Sequence, residues 1–174
     1  MRLDLSPESR VMVDLRATGL LRAVGHDPTL VARPEPLSLE VGEGAIDVPV
    51  EVRFRADALE PPQDLSASDR GKMLENVRGA DVLDVARFPL VVLRGRYAGT
   101  LEGGRLAGEL VVRGAPHGVA LEVRVAQETG ALLATGAWEG KLTDLGIRPF
   151  KALLGALKLK DWIGLRLEAR LVRG

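Results

Sequence analysis

Apolar residues alternate with polar residues along most of the chain, and this period of two constrains the fold more than any other feature of the sequence. In the clearest series, residues 46–54, apolar side chains occupy every even position while Glu51 and Arg53 stand between them. Similar series occur at 11–15, 37–41, 106–112, 119–125 and 163–171. Because successive side chains of a strand point to opposite faces, each series predicts a β-strand with one buried and one wet face.

Short glycine-containing segments separate several of these predicted strands. They lie at 42–44, 102–104, 114–118 and 129–130. Connections this short favour antiparallel hairpins over parallel crossovers. We therefore predict an all-β, antiparallel sheet that closes into a lipocalin-like barrel of about eight strands, since closure removes exposed edges and leaves room for side chains or one small ligand.

Two segments depart from the alternation and are predicted to be short helices. The first is 66–78, with Ser66 as a candidate cap and Gly79 as a stop. The second is 148–160, where Pro149 suits a first helical turn. We expect this second helix to plug one end of the barrel, because its apolar residues share one helical face: Phe150, Leu153, Leu154 and Leu157.

Length and composition narrow the classes of protein further. The chain has 174 residues, 46% of them apolar, which permits a sizeable core and argues against disorder. Its 24 Lys and Arg residues balance 24 Asp and Glu residues, so it lacks the basic footprint of a nucleic-acid-binding protein. We predict a single barrel domain spanning residues 1–174.

The sequence also gives an expectation for location. It has no cysteine, no secretory-type apolar stretch near its N-terminus and no window approaching the roughly 18 apolar residues of a membrane span. We therefore expect a cytoplasmic protein with at most transient membrane contact.

Small residues at inward positions leave two interpretations of the barrel interior. Gly95, Gly108, Gly136 and Gly140 accompany the apolar series, together with alanines such as Ala134. Glycine in a strand marks a bend, a bulge or the close approach of another group. The interior is then either an apolar cavity or a core in which the aromatic side chains fill the gaps.

Five motifs, in order along nearly the whole chain, resemble segments of the YceI-like family. The most informative is DVLDVARFPLVVL at 81–93, which is similar to the family's "FLDV-x-(K/R)-(Y/F)-P" segment. The others lie at 20–27, 69–74, 105–119 and 143–147, the first of them containing the sequence Gly25-His26-Asp27.

This resemblance implies an elongated lipocalin-like barrel that binds polyisoprenoids, quinone-like molecules or other long-chain amphiphiles in a hydrophobic tunnel. It also implies a homodimer, and many family members carry a secretory leader. The sequence departs from the family pattern at Leu93, Gly95, Leu142 and Leu145. A polar contact to a ligand head group is therefore in doubt, and the fold carries over better than the ligand.

We predict a binding or carrier protein, not an enzyme, that sequesters an isoprenoid, quinone-like or fatty-acyl chain. No catalytic residue, metal or cofactor is predicted. Tyr97 and Trp138 are each expected to offer a polar group to the ligand head. The candidate ligand-binding residues are Val52, Phe54, Leu93, Gly95, Tyr97, Leu110, Leu121, Gly136, Trp138, Trp162, Leu167 and His26.

Two alternative functions stay open at this point. One is a hydrolase or isomerase acting on a lipid-like substrate near His26 and Asp27, although these adjacent residues also suit a structural turn. The other is a filled barrel with a structural or interaction role. His117, within 114–118, is expected to lie in a solvated turn.

Overall fold

The computed structural model describes residues 1–18, 27–152, 155 and 157–174. Within them the chain forms eleven strands and helix α1 (Ala67–Arg78), with short 3-10 turns at Ala56–Ala58 and Thr143–Leu145. The strands are β1 (Arg2–Leu5), β2 (Arg10–Thr18), β3 (Thr29–Ala32), β4 (Ser38–Glu40), β5 (Ile46–Arg55), β6 (Leu90–Gly99), β7 (Gly103–Val112), β8 (Ala115–Glu128), β9 (Ala131–Gly140), β10 (Lys151–Ala152) and β11 (Leu157–Arg173).

One strongly curled antiparallel sheet contains all of these strands. Its main path runs β3-β2-β11-β9-β8-β7-β6-β5, and β1, β4 and β10 attach to it at the side. The two ends of the path meet where Pro34 bridges Phe54 and the Glu35 amide donates to the Arg53 carbonyl at 2.8 Å. The prediction of an antiparallel barrel with about eight strands is thus confirmed, with closure at a point and not along a full ladder.

Helix α1 agrees with the first predicted helix. The Ser66 hydroxyl accepts a hydrogen bond from the Asp69 amide at 3.1 Å, and Met73 and Val77 are buried against the barrel. The Gly79 amide donates to the Asn76 carbonyl at the other end. The sequence signals for capping therefore correspond to real contacts.

The second predicted helix, over 148–160, is wrong in the part that the structure describes. Ala152 pairs with Leu157 in a β10–β11 hairpin, and Leu159 pairs with Ala17 of β2. Helical spacing over one short apolar run does not distinguish helix from strand. Ladder pairing with β2 and β10 decides the outcome, and the remaining apolar positions, Leu153 and Leu154, lie outside the described residues.

The β7–β8 connection is shorter than the predicted turn at 114–118. It consists of Arg113 and Gly114, whose φ values are 51° and 71°. Positive φ at both central residues is the requirement of a type I′ hairpin turn. Strand β8 therefore begins at Ala115 and includes His117. The prediction that His117 lies in a solvated turn is wrong.

Paired glycines bring β6 and β7 close together. Gly95 lies opposite Gly108, and Gly99 lies opposite Gly104. A Cβ atom on Gly95 would overlap the Ala107 carbonyl. These glycines therefore serve the close approach of two backbones, one of the uses of glycine inside a strand.

The core divides into three apolar clusters along the barrel. One end is packed by α1 and the segment after β9, with Met73 and Leu142 fully enclosed. The other end holds Leu3, Val41 and Ile46. The middle cluster contains two small side chains, Ala134 and Ala169, beside larger ones such as Leu106.

Substituting a paired glycine is predicted to destabilise the fold. Gly95→Ala or Gly108→Ala places a methyl group against the facing backbone, and such overpacking costs about 1–3 kcal/mol. Urea unfolding measures this. Gly71→Ala is the control, because nothing lies within 4 Å of its Cβ position in α1 and the change should stabilise by up to about 1 kcal/mol. Equal stability of Gly95→Ala and wild type would contradict the close approach.

An ion pair joins three strands on the outer face. Asp14 of β2 accepts hydrogen bonds from Arg166 Nε of β11 at 2.6 Å and from Thr29 Oγ1 of β3 at 2.7 Å. The Arg166 hydrogen bonds hold the pKa of Asp14 below its ordinary value, and the bond from Thr29 acts in the same direction against partial burial. The charged carboxylate is therefore the form that holds these strands together.

Acid is predicted to remove the stability that Asp14 contributes. The folded-state pKa of Asp14 is lowered from its ordinary value of 3.8. The stability that the charged carboxylate contributes is therefore complete above the ordinary pKa and is lost as the pH falls through the lower folded-state pKa. The stability difference between wild type and Asp14→Asn, measured by urea unfolding, should shrink between about pH 6 and pH 2. A difference independent of pH would contradict this role, and the exposed Asp64→Asn variant is the control.

Candidate functional site

An apolar cavity of about 230 Å³ lies inside the curled sheet. Inward side chains of β5, β6, β7, β8, β9 and β11 form its wall. Among the described residues of this wall, the hydroxyl- and charge-bearing side chains are Ser9, Arg10, Tyr97 and Thr100. An engineered apolar cavity of about 150 Å³ stays dry and accepts benzene, so this space is large enough for an apolar guest.

The alternation places most of the predicted ligand-binding residues on this wall. The alternate positions predicted to face inward do so on β5, β6, β7, β8 and β9, and Leu167 does so on β11. The predicted residues that line the cavity are Val52, Phe54, Leu93, Tyr97, Leu110, Leu121, Trp138 and Leu167. Their contact with a ligand stays a prediction.

The glycines do not create the cavity, contrary to the interpretation that they leave unfilled space. The β7 backbone occupies the space beside Gly95, as described above. At Gly136 a Cβ atom would lie 2.6 Å from Leu121 Cδ1, and at Gly140 it would lie 2.5 Å from Cη2 of Trp138. Neighbouring side chains therefore already occupy the space over Gly136 and Gly140.

Two alanines account for the space at the middle of the barrel. Ala134 of β9 lies directly opposite Ala169 of β11, and both line the cavity. Their side chains fill less of the interior than the valines and leucines of β5, β6 and β7 that also line the cavity. Small residues on this wall therefore contribute to the cavity.

Trp162 was predicted inside the barrel and lies outside it. The Arg16 guanidinium sits 3.8 Å from the centroid of its ring, and the ring also covers Gly164. Its position could have been read from the sequence, because the inward series on β11 uses odd positions such as Ile163 and Leu165. His26 lies outside the described residues.

Asp27 has a structural contact. Its Oδ1 atom accepts a hydrogen bond from the Ala17 amide at 3.0 Å. This is the backbone bonding typical of an aspartate in a turn, and it fits the structural interpretation of the His26-Asp27 pair.

His117 faces inward and does not lie in the solvated turn that the sequence predicts. It lies opposite Leu110 on the inward parity of β8, and its Nε2 atom is buried without a hydrogen-bond partner. Extending the series Val119, Leu121 and Val123 back by two residues would have shown this. In the described part of the chain, no three His, Cys, Asp or Glu side chains group closely enough to hold a metal ion.

Between β5 and the segment at 34–41 the described backbone hydrogen bonding is incomplete. Beyond the Glu35–Arg53 hydrogen bond, the described backbone hydrogen bonds of this segment go to the N-terminal strand β1 and its neighbours and not to β5. Pro34, Leu37 and Leu39 line the cavity here. Part of this edge is thus closed by side-chain packing, with Leu39 and Val41 against Ile46 and Val48, and not by a described backbone ladder.

Three polar side chains of the cavity wall are already hydrogen-bonded or paired. The Tyr97 hydroxyl donates to the Thr100 carbonyl at 2.6 Å, and burial raises the pKa of Tyr97. Arg10 pairs with Glu168 at 2.9 Å, and the Ser9 hydroxyl accepts from the Arg170 amide at 3.0 Å. The site can bury hydrocarbon, and its wall presents no assembled nucleophile and base among the described residues.

A curled antiparallel barrel around an apolar cavity defines a lipocalin-like architecture. No family model and no curated protein matches the sequence. Solved structures match the fold: BcnA from Burkholderia cenocepacia has a TM-score of 0.60 and 12% identity, covering 96% of this chain and 97% of that chain. A mutant CJ YceI protein with a monobromobimane guest has a TM-score of 0.56 and 12% identity, covering 78% and 88%. The chain therefore has the YceI-type fold, as its motifs predict.

None of the described helices is both long enough and apolar enough to cross a membrane.

Filling the cavity is predicted to stabilise the protein. Ala169→Leu adds buried hydrocarbon to empty space, and cavity-filling changes commonly raise stability by about 0.5–2 kcal/mol. Thermal or urea unfolding measures the gain. Ala107→Leu, on the exposed face of β7, is the matched control with no expected gain. If Ala169→Leu destabilises the protein and Ala107→Leu does not, the space beside Ala169 is already filled.

Proposed function

We propose that this protein binds and carries a long apolar or amphiphilic molecule, such as an isoprenoid, quinone-like or fatty-acyl chain, without acting as an enzyme. The observation that carries the proposal is the cavity between Ala134, Ala169 and the aliphatic residues of β5 and β6. Its wall is almost entirely hydrocarbon, which suits a flexible chain better than a sugar or a base. Similarity of fold to BcnA and to a YceI protein with a small guest supports this proposal.

The energy of such binding comes from transferring methylene groups out of water. Each buried methylene contributes about 0.8 kcal/mol. Ten of them would contribute roughly 8 kcal/mol, against an association cost of about 4 kcal/mol or more. A chain held in the cavity can therefore bind with few polar contacts.

The enzymatic alternative gains no support from the described residues. Asp27 is engaged with the backbone of β2, and its neighbour His26 is outside the described part of the chain. The cytoplasmic location, the homodimer and the transient membrane contact stay predictions.

Uptake of a fluorescent fatty acid or prenyl analogue tests the proposal. Native mass spectrometry of gently purified protein should also show a co-purifying apolar mass. Ala169→Leu should remain folded and weaken uptake by about tenfold or more, because its larger side chain takes space from the ligand. A tenfold loss of affinity corresponds to about 1.4 kcal/mol. Ala107→Leu should bind like wild type. A folded wild-type protein that takes up neither analogue and carries no ligand would overturn the proposal.

A further inference from the structure

The outer face of the sheet carries a group of four cations beside the β10–β11 hairpin. Lys151 of β10 lies directly opposite Lys158 of β11, and Lys158 lies opposite Thr18 of β2. Residues that are opposite each other, or two apart in one strand, share a face of the sheet. Lys160 and Arg16 therefore lie on this face as well, and all four cations are exposed. We call Arg16, Lys151, Lys158 and Lys160 the basic face.

The cations of the basic face have no acidic counterparts, unlike many others on the outside of the barrel. On β6, Arg96 pairs with Asp47 at 2.9 Å and Arg94 pairs with Glu109 at 3.5 Å. The four cations of the basic face form no ion pair with any described residue. Like charges directly opposite each other destabilise a strand pair, so the facing lysines of β10 and β11 contribute nothing favourable to the fold itself.

Carboxylates near the basic face lie at its borders. Asp161 is turned to Thr143, whose amide and hydroxyl donate to it at 3.0 and 2.7 Å. Asp27 accepts a hydrogen bond from the Ala17 amide, on the edge of β2 that points away from β11. Glu139 belongs to β9, on the other side of β11 from β2. The basic face is therefore locally positive, although the net charge of the chain is zero.

Trp162 adjoins the basic face. A bulge in β11 places residues 160–162 opposite the single residue Arg16 of β2. The Arg16 guanidinium lies 3.8 Å from the centroid of the Trp162 ring, which is partly exposed on the outside of the barrel. Tryptophan is enriched at the boundary between membrane lipid and water. The combination of lysine, arginine and tryptophan on one open face therefore suits a lipid surface.

We propose that the basic face docks this protein on an anionic phospholipid bilayer, with Trp162 at the lipid–water boundary. The partner is the charged membrane surface as a whole and not one bound head group, because the cations lie on an open sheet face and not in a pocket. Each basic side chain near such a surface strengthens binding by about fivefold. This inference goes beyond the proposed function and does not depend on it, since the basic face lies outside the cavity.

A nucleic acid is the less suitable polyanion for this surface. Proteins that bind nucleic acid carry a broad basic footprint that neutralises many phosphates. The basic face has four cations in a chain whose basic and acidic residues balance at 24 each. Four such side chains are, in contrast, enough for reversible attraction to an anionic membrane.

Vesicle flotation tests the inference, with phosphatidylcholine vesicles and with vesicles that also contain phosphatidylglycerol. The protein should float with the mixed vesicles alone, and salt should release it because the attraction is screened. Lys151→Gln with Lys158→Gln should weaken binding to mixed vesicles by about tenfold or more. This variant should remain folded, because it removes a repulsive pair. Arg53→Gln with Arg55→Gln removes the same charge from exposed positions of β5 and should bind like wild type.

The fluorescence of Trp162 locates the contact. In a Trp138→Phe background Trp162 is the single tryptophan, and its emission should shift to the blue with mixed vesicles and not with phosphatidylcholine vesicles. Equal binding of wild type and the lysine variant, or no binding of folded wild type to mixed vesicles, would overturn this inference while the proposed function stands. Binding of a double-stranded oligonucleotide in place of mixed vesicles would also overturn it and would identify a nucleic-acid surface.

Discussion

The structure depends on the requirement that a curled antiparallel sheet bury its inner face. Here that face carries mainly valine, leucine and alanine. The end around Met73 is packed by helix α1 and the segment after β9. The cavity extends from the middle, next to Ala134 and Ala169, to the end around Leu3, so the inner face there is buried without being completely filled.

Backbone geometry sets the shape of this face. The Gly95–Gly108 and Gly99–Gly104 pairs draw β6 and β7 together. Two strands further along the sheet, the ladder between β8 and β9 ends at Gly136. Pairing is therefore closer between β6 and β7 than between the far parts of β8 and β9. Among the described residues, the two ends of the strand path are joined by the Pro34–Phe54 bridge and the Glu35–Arg53 hydrogen bond.

Much of this arrangement could be predicted from the alternation of side chains. A period of two fixes which residues share a face, so Val52, Leu93 and Leu167 were placed correctly on the cavity wall. The same rule would have placed Trp162 outside and His117 inside, had it been applied through the ends of each series. Helix α1 was predictable because its cap at Ser66 is a local signal.

Other features depend on contacts that no local pattern records. The segment at 157–160 belongs to a strand because β2 and β10 pair with it. The role of Gly95 depends on the backbone of β7, which approaches from another part of the chain. Whether small residues leave a cavity likewise depends on the distance across the barrel, which the sequence does not contain.

Xenon binding tests most directly the claim that the middle of the barrel is a dry apolar chamber. Apolar cavities of this size that exclude water bind xenon. In crystals of the protein under xenon pressure, the account predicts a xenon peak beside Ala134 and Ala169. Ordered water at that position, or no peak because side chains fill the space, would contradict it.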